Sequence, residues 1–202
     1  MLIRRTLTVI LIFAGCWLGA CSTPPVTTAS VFDLGTIKLT QVTSNSAGMR
    51  VEVSATPALA STDMVYRLLY DDAQVWRRYA NSRWAATPAQ LIQERLRVGL
   101  LATFAVSNAS SSAGPRNLSV RVLEFSQWFD RPDSSHAVIQ VEAQLYQNGI
   151  LQAQQLMQVE APAASANAAG GAAALAQAGD ELAKRLLNWQ DEHKREQVMS
   201  SK

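Results

Sequence analysis

The chain is poor in the residues that most often bind metals or act as nucleophiles. Its 202 residues include two cysteines, Cys16 and Cys21, and two histidines, His136 and His193. Zinc sites are built from clustered cysteine and histidine ligands, and the two histidines lie far apart in the sequence. We therefore expect no metal site, and we interpret both histidines as solvated side chains.

Basic and acidic residues are also nearly balanced in number. The sequence has 18 basic and 16 acidic residues, and its formal net charge at pH 7 is +2. Removal of the first 20 residues would take away Arg4 and Arg5 but no acidic residue, which leaves the charges balanced. Nucleic-acid-binding domains carry strongly basic surfaces, so the composition argues against nucleic acid as a partner and against a polybasic membrane patch.

Sequence motifs of common catalytic sites are missing as well. The chain has no Gly-x-Ser-x-Gly motif, and its glycine doublet, Gly170-Gly171, lies among alanines without the lysine of a nucleotide-binding loop. The acidic pair Asp71-Asp72 offers too few oxygen ligands for calcium and is interpreted as a turn. We expect no enzyme activity and no cofactor. A pair of carboxylates elsewhere in the chain that acts in acid–base catalysis is left as an open alternative.

The N-terminus carries the strongest local signal. Arg4 and Arg5 precede an apolar run, Leu7–Trp17, which is too short to span a membrane but is typical of an export signal. The run ends in Leu18-Gly19-Ala20-Cys21, the pattern of a bacterial lipobox. The sequence therefore predicts that residues 1–20 are a lipoprotein signal peptide and that the thiol of Cys21 is acylated. The alternatives are an ordinary secretory signal with a chance cysteine and a buried N-terminal helix.

Acylation of Cys21 would tie the mature protein to a bilayer facing the periplasm, because two or three acyl chains anchor a protein stably. It would also leave no free thiol and no disulfide, since Cys16 departs with the signal. Residues 21–30 contain two prolines, three threonines and no charge, and are predicted to be a flexible tether. Ser22, rather than aspartate, is similar to the pattern sorted to the outer membrane, with the inner membrane as the alternative.

Residues 31–190 are predicted to form one domain, followed by a polar tail at residues 191–202. Strands are indicated at 31–35, 49–53, 64–70, 118–129 and 139–145 and in the returning strand that ends at Pro162. In the strand at 118–129 the apolar residues change parity, which indicates a β-bulge or burial on both faces. Asn148-Gly149 is typical of a type I′ hairpin turn.

Two helices complete the pattern. Thr87 and Gln90 form a capping box around Pro88, which predicts a helix that runs to about Phe104. The alanine-rich stretch from Ala163 to about Gln190 is predicted to be the second helix. Helices separated by strands in this order favour an α/β layer structure over a mixed sheet.

Aromatic and arginine residues alternate just before the first helix. We predict a partner-binding surface there, because such residues are enriched in protein interfaces. Its members are Tyr66, Arg67, Arg78, Tyr79, Arg83 and Trp84. The alternative is structural: Tyr79 and Trp84 would fill the gap between helix and sheet, and the arginines would be solvated or paired with Asp71 and Asp72.

The same segment resembles a known protein family. The matching motifs are Tyr66-Arg67-Leu68, Tyr79-Ala80-Asn81-Ser82-Arg83-Trp84, Pro88, Leu91, Phe32-Asp33-Leu34-Gly35, Leu123-Glu124-Phe125 and the hairpin at Asn148-Gly149. In this order after a lipobox they resemble the ABC-type transport auxiliary lipoproteins, over roughly residues 31–189. These are lipoprotein partners of transporters with mammalian-cell-entry (MCE) domains, including the paraquat-inducible type.

This resemblance implies a three-layer α/β sandwich with a mixed sheet of about five strands and two main helices, similar to the TolB N-terminal and anticodon-binding folds. It also implies a non-enzymatic component that helps an MCE protein move lipids or other hydrophobic molecules between two membranes. Two alternatives stay open: an outer-membrane lipoprotein that activates a cell-wall synthase, which the short tether disfavours, and an enzyme that acts on envelope material.

The lipobox gives the first testable prediction. Mass spectrometry of the native protein should show a chain that starts at Cys21 and carries acyl groups on that residue, because the thiolate is the nucleophile that acylation requires. An intact leader, or an unmodified thiol at Cys21, would contradict the predicted anchor.

Overall fold

The computed structural model of the chain describes residues 28–36, 49–104 and 116–200. The order of elements is β1 Ser30–Phe32, β2 Met49–Ala55, a 3-10 turn Pro57–Leu59, β3 Asp63–Leu68, β4 Asp72–Trp84, α1 Pro88–Phe104, β5 Arg116–Arg131, β6 Ser134–Gln147, β7 Ile150–Pro162 and α2 Ala168–Ser200. The predicted signal peptide, Cys21 and most of the tether lie outside these residues.

Seven strands in the described part of the chain form one mixed sheet. Six of them follow the order β1-β4-β3-β5-β6-β7, and β2 lies off this path and pairs with β5. β5 is its central strand and pairs with β6 along almost its whole length. The other edge of β5 is shared by two shorter parallel strands: β2 pairs with residues 116–122 and β3 with residues 127–129. β2, the 3-10 turn and β3 therefore run along β5 as one interrupted strand.

The change of parity in β5 is a β-bulge. The pairing with β6 shifts register between Val122 and Glu124. Before the shift, Leu118, Val120 and Val122 lie on one face and are fully buried; after it, Phe125 continues that face and is 1% exposed. The bulge thus keeps large apolar side chains on the same side of the sheet from Leu118 to Phe125.

Both helices pack against this side, which we call the helix face. α1 and α2 contact each other where Arg95 meets Asp180, and the first turn of α2 approaches Gln127 of β5. The opposite side, which we call the open face, carries the alternate residues of β2, β6 and β7, and most of these are exposed or half-buried. The solvated part of this face lies mainly on the antiparallel strands β6 and β7, and antiparallel strands often have one face in solvent.

The local signals at the turns and caps behave as predicted. Asn148 and Gly149 have φ values of 52° and 78°, as a type I′ turn requires. At the start of α1 the Thr87 amide donates to Gln90 Oε1 at 3.1 Å, and the Gln90 amide lies 3.5 Å from Thr87 Oγ1. These reciprocal contacts are a capping box.

The predicted mixed α/β class with two main helices is confirmed, and the open sheet is consistent with the three-layer sandwich class. The sheet has seven strands where about five were expected. The additional strand that the sequence pattern did not reveal is β4, Asp72–Trp84. The second helix also continues beyond the predicted end at Gln190, as far as Ser200.

An ion pair with a buried arginine joins the two helices to each other and to the residues that follow β1. The Arg95 side chain is 4% exposed; its Nε and Nη2 atoms each lie 2.8 Å from a carboxylate oxygen of Asp180, and Nη1 donates to the carbonyl oxygen of Leu34. We expect Asp180→Ala to lower the free energy of unfolding by about 2–3 kcal/mol, less than for a fully buried pair because Asp180 is 41% exposed.

Glu181→Ala is the matched control, since Glu181 forms an exposed pair with Arg185 on the same helix. Its cost should stay within about 0.5 kcal/mol. Denaturant unfolding followed by circular dichroism measures both values, and equal losses would contradict the structural role of Arg95.

Candidate partner-binding surface

The six residues of the predicted partner-binding surface all lie on the β3–β4 hairpin, but the structure divides them among three environments. β3 carries Tyr66 and Arg67, and β4 carries the other four. The two strands pair antiparallel with two shifts of register, so residues close in sequence point to different sides. The hairpin therefore presents a different set of side chains to each face of the sheet.

Three arginines of the set lie on the open face. Arg78 Nε lies 3.1 Å from Asp63 Oδ2, and Arg83 pairs across the ladder with Asp63, so all three residues share one side. Arg78 is 71% exposed and Arg83 is also exposed. Among the described residues Asp63 is the acidic group beside them, so this end of the open face carries an excess of positive charge.

Arg67 is the third of these arginines and is largely buried. Its Nε and Nη2 atoms donate to Glu124 Oε2 at 3.1 and 2.8 Å, and Nη1 donates to the carbonyl oxygen of Ala73 at 3.0 Å. The guanidinium also lies over the ring of Trp76, 5.1 Å from its centroid, in a cation–π arrangement. Because its charge is neutralised by Glu124, Arg67 supports the hairpin and offers little free charge to a partner.

The two tyrosines lie on the helix face. Tyr66 and Tyr79 are in contact, with ring centroids 4.7 Å apart, and the Tyr79 hydroxyl donates to Gln127 Oε1 at 2.8 Å. Burial, with a further contribution from Tyr66, raises the pKa of the Tyr79 hydroxyl well above its usual value. The hydroxyl is therefore protonated at neutral pH and acts as a hydrogen-bond donor.

The first turn of α2 packs closely against Gln127, which accepts from Tyr79. A Cβ atom at Gly171 would lie 2.1 Å from Gln127 Oε1, so only glycine allows the helix to approach β5 this far. The glycine doublet that lacks a nucleotide-binding motif thus has a packing role.

Trp84 is a core residue. Its side chain is 2% exposed, and its ring contacts Phe125 edge-on with centroids 5.3 Å apart. Its backbone pairs with Phe32 of β1. This placement is the structural alternative considered for Trp84, and it leaves the indole inaccessible to a partner. Partner binding by the other five residues stays a prediction.

The open face also carries a network of polar side chains that the sequence analysis did not single out. Glu142 Oε1 accepts from Gln144 at 3.2 Å and from Gln154 at 2.6 Å, and Gln144 Oε1 accepts from the Tyr146 hydroxyl at 2.8 Å. The signal was available in the sequence, because these residues occupy the alternate positions of β6 and β7. Their mutual hydrogen bonds fix side chains that would otherwise be mobile.

A cavity of about 400 Å³ opens on this face near the β6–β7 hairpin. Its lining includes Arg50, Glu52, Asn117 and Tyr146. Arg50 and Glu52 are 3.7 Å apart, and within the described part of the chain Asn117 Oδ1 has no hydrogen-bond partner. The charges of Arg50 and Glu52 offset each other, but Arg116 also lines the cavity and adds a positive charge.

Two other features are absent from the described residues. Across residues 28–36, 49–104 and 116–200, no three histidine, cysteine, aspartate or glutamate side chains come together as a metal-binding group. In the same ranges, neither helix combines the length and the apolar character that crossing a bilayer requires.

Two solved structures share the fold. A Xanthomonas campestris protein of family DUF330 is 17% identical with a TM-score of 0.63, over 88% of this chain and 94% of that one. A crystal structure of an uncharacterized protein is 21% identical with a TM-score of 0.59, over 79% of this chain and 96% of that one. No curated protein sequence matches the chain.

A family model gives the more specific result. The model of the ABC-type transport auxiliary lipoprotein component matches residues 36–186. The matched region contains β2 to β7, α1 and most of α2, including the whole β3–β4 hairpin. The resemblance inferred from the sequence motifs is thereby confirmed, and the chain belongs to the ABC-type transport auxiliary lipoprotein family.

Proposed function

We propose that this protein is the outer-membrane-anchored auxiliary lipoprotein of an MCE-type transport system that moves lipids or other hydrophobic molecules across the envelope. The family supplies the coarser part, an auxiliary role in ABC-type transport. The finer part is that the open-face end of the β3–β4 hairpin binds the MCE protein. The observation that carries this assignment is the exposed arginine pair, Arg78 and Arg83.

These arginines have the properties of a docking site. Arg83 forms no ion pair with any described residue, and Arg78 is bonded to Asp63 on one side while 71% exposed on the other. Arg83 is therefore free to reach carboxylates of a partner, and Arg78 can do so with the exposed part of its side chain. Arg67 lies further along β3 on the same face, where Glu124 and Trp76 hold it in place.

The position of the surface also suits an anchored protein. The predicted tether leads directly into β1, and β1 pairs with β4 through Ser30–Ser82, Val31–Arg83 and Phe32–Trp84. Arg83 therefore lies one strand away from the point where the tether joins the domain. Anchoring through Cys21 would hold this surface within a tether's length of the membrane and raise its effective concentration near a membrane-bound partner.

The test is a binding assay between the lipidated chain and the MCE protein of the same transport system. The double variant Arg78→Glu/Arg83→Glu should lower the affinity at least tenfold, because both contacts become repulsive. Arg97→Glu is the matched control: Arg97 is 65% exposed on α1, on the other side of the sheet, and its reversal should leave binding unchanged.

Two outcomes would contradict the proposal. If the double variant binds with wild-type affinity, this surface is not the binding site. If the wild-type chain does not bind the MCE protein, that protein is not the partner. Trp84→Ala is not informative here, because truncating a buried tryptophan costs about 3–5 kcal/mol and would weaken binding through loss of folding.

A further inference from the structure

β7 forms one end of the sheet. In the described part of the chain its only strand partner is β6, and β1, which leads to the predicted tether, lies at the opposite end of the strand order. A strand at the end of a sheet has one row of backbone N–H and C=O groups without ladder partners. The row on β7 extends over 13 residues, Ile150–Pro162.

The orientation of this row follows from two contacts. Arg185 Nη1 of α2 donates to the carbonyl oxygen of Gln158 at 3.0 Å, so the peptide groups of Gln158 point away from β6. Because the ladder alternates, those of Gln154 and Leu156 point outward as well. Pro162, which has no N–H to donate, occupies a position of the same parity.

Up to Val159 this edge lacks the features that usually prevent strand addition, and Glu160 and Pro162 lie at its end. The run Ile150–Val159 contains no charged residue and no proline, the two devices that most often protect an edge strand. Its apolar side chains are unusually accessible: Leu156 is 70% exposed and Ile150 is 66% exposed. Among the described residues the edge is thus partly apolar and, apart from the Gln158 carbonyl that accepts from Arg185, open for hydrogen bonding.

A groove of about 310 Å³ runs beside the edge, between β7 and α2. It is lined by Gln155 and Met157 of β7 and by Arg185 and Glu192 of α2, among others. Arg185 lies at the level of Gln158, and Glu192, which also lines the groove, lies two helical turns further along α2, about 10 Å nearer the start of β7. The two opposite charges are thus placed on either side of Leu156.

We propose that β7 pairs antiparallel with β7 of a second copy of this chain, around a two-fold axis at Leu156. In that register Leu156 meets its own copy, and Gln154 meets Gln158 of the other chain, so the outward peptide groups of these three residues face those of the second copy. The same symmetry brings Arg185 of each chain to the level of Glu192 of the other. Arg185, which pairs with Glu181 of its own helix, would gain a second carboxylate there, and because the axis produces this contact twice it favours a second copy over an unrelated strand.

The interface is small, so the pairing is weak in solution and depends on concentration. Anchoring both chains in one membrane supplies that concentration.

Cysteine cross-linking of the full-length chain in its native membrane tests the register. Directly opposed residues of antiparallel strands lie within disulfide range, so Leu156→Cys should give a disulfide-linked dimer on a non-reducing gel. Ile150→Cys is the matched control: it has similar exposure on the same strand, but the symmetry places its two copies tens of ångströms apart.

Charge reversal in the Leu156→Cys background tests the second contact. Arg185→Glu should lower the cross-linked fraction severalfold, and adding Glu192→Arg should restore it. The proposal is overturned if Leu156→Cys gives no dimer, or if it cross-links no more than Ile150→Cys does. It is also overturned if Leu156→Cys forms a mixed disulfide with another protein, or if the second charge reversal does not restore the dimer. None of these outcomes depends on whether the MCE protein binds.

Discussion

The pairing of β5 sets the arrangement of both faces of the sheet. Its bulge between Val122 and Glu124 adds one residue, after which Phe125 and Gln127 lie under the helices and Glu124 lies on the open face. Without the extra residue the parity would reverse, and the carboxylate of Glu124 would be placed under the apolar helices at a high desolvation cost. The bulge therefore builds the core and, at the same time, supplies the counter-ion for Arg67.

Features with a local cause were predictable from the sequence. The capping box at Thr87, the turn at Asn148-Gly149 and the alternation in β2 each depend on residues within a few positions of one another. The parity change in β5 was visible too, although only the structure distinguishes a bulge from burial on both faces. The shared edge of β5 was not predictable, because no residue pattern in β2 or β3 specifies which strand each will pair with.

β4 was missed for a physical reason. It lies next to the end of the sheet, where arginine side chains replace apolar ones on the open face, so the strand shows no simple alternation of apolar and polar residues. Trp84 was ambiguous for a related reason: a tryptophan beside an arginine fits both an interface and a core. Its burial is decided by Phe125 and Phe32, which are distant in sequence. A residue's environment in such a hairpin depends on register shifts that local patterns do not specify.

The two proposed contacts are geometrically compatible. Antiparallel pairing of two β7 edges extends one sheet into a larger one, with the two-fold axis perpendicular to it, so both helix layers lie on one side and both open faces on the other. The β1 ends, with their tethers and exposed arginines, would then lie at the two outer ends of the joined sheet. Each copy could bind a partner through Arg78 and Arg83 without obstructing the other, and a partner with several identical subunits would gain from engaging both copies at once.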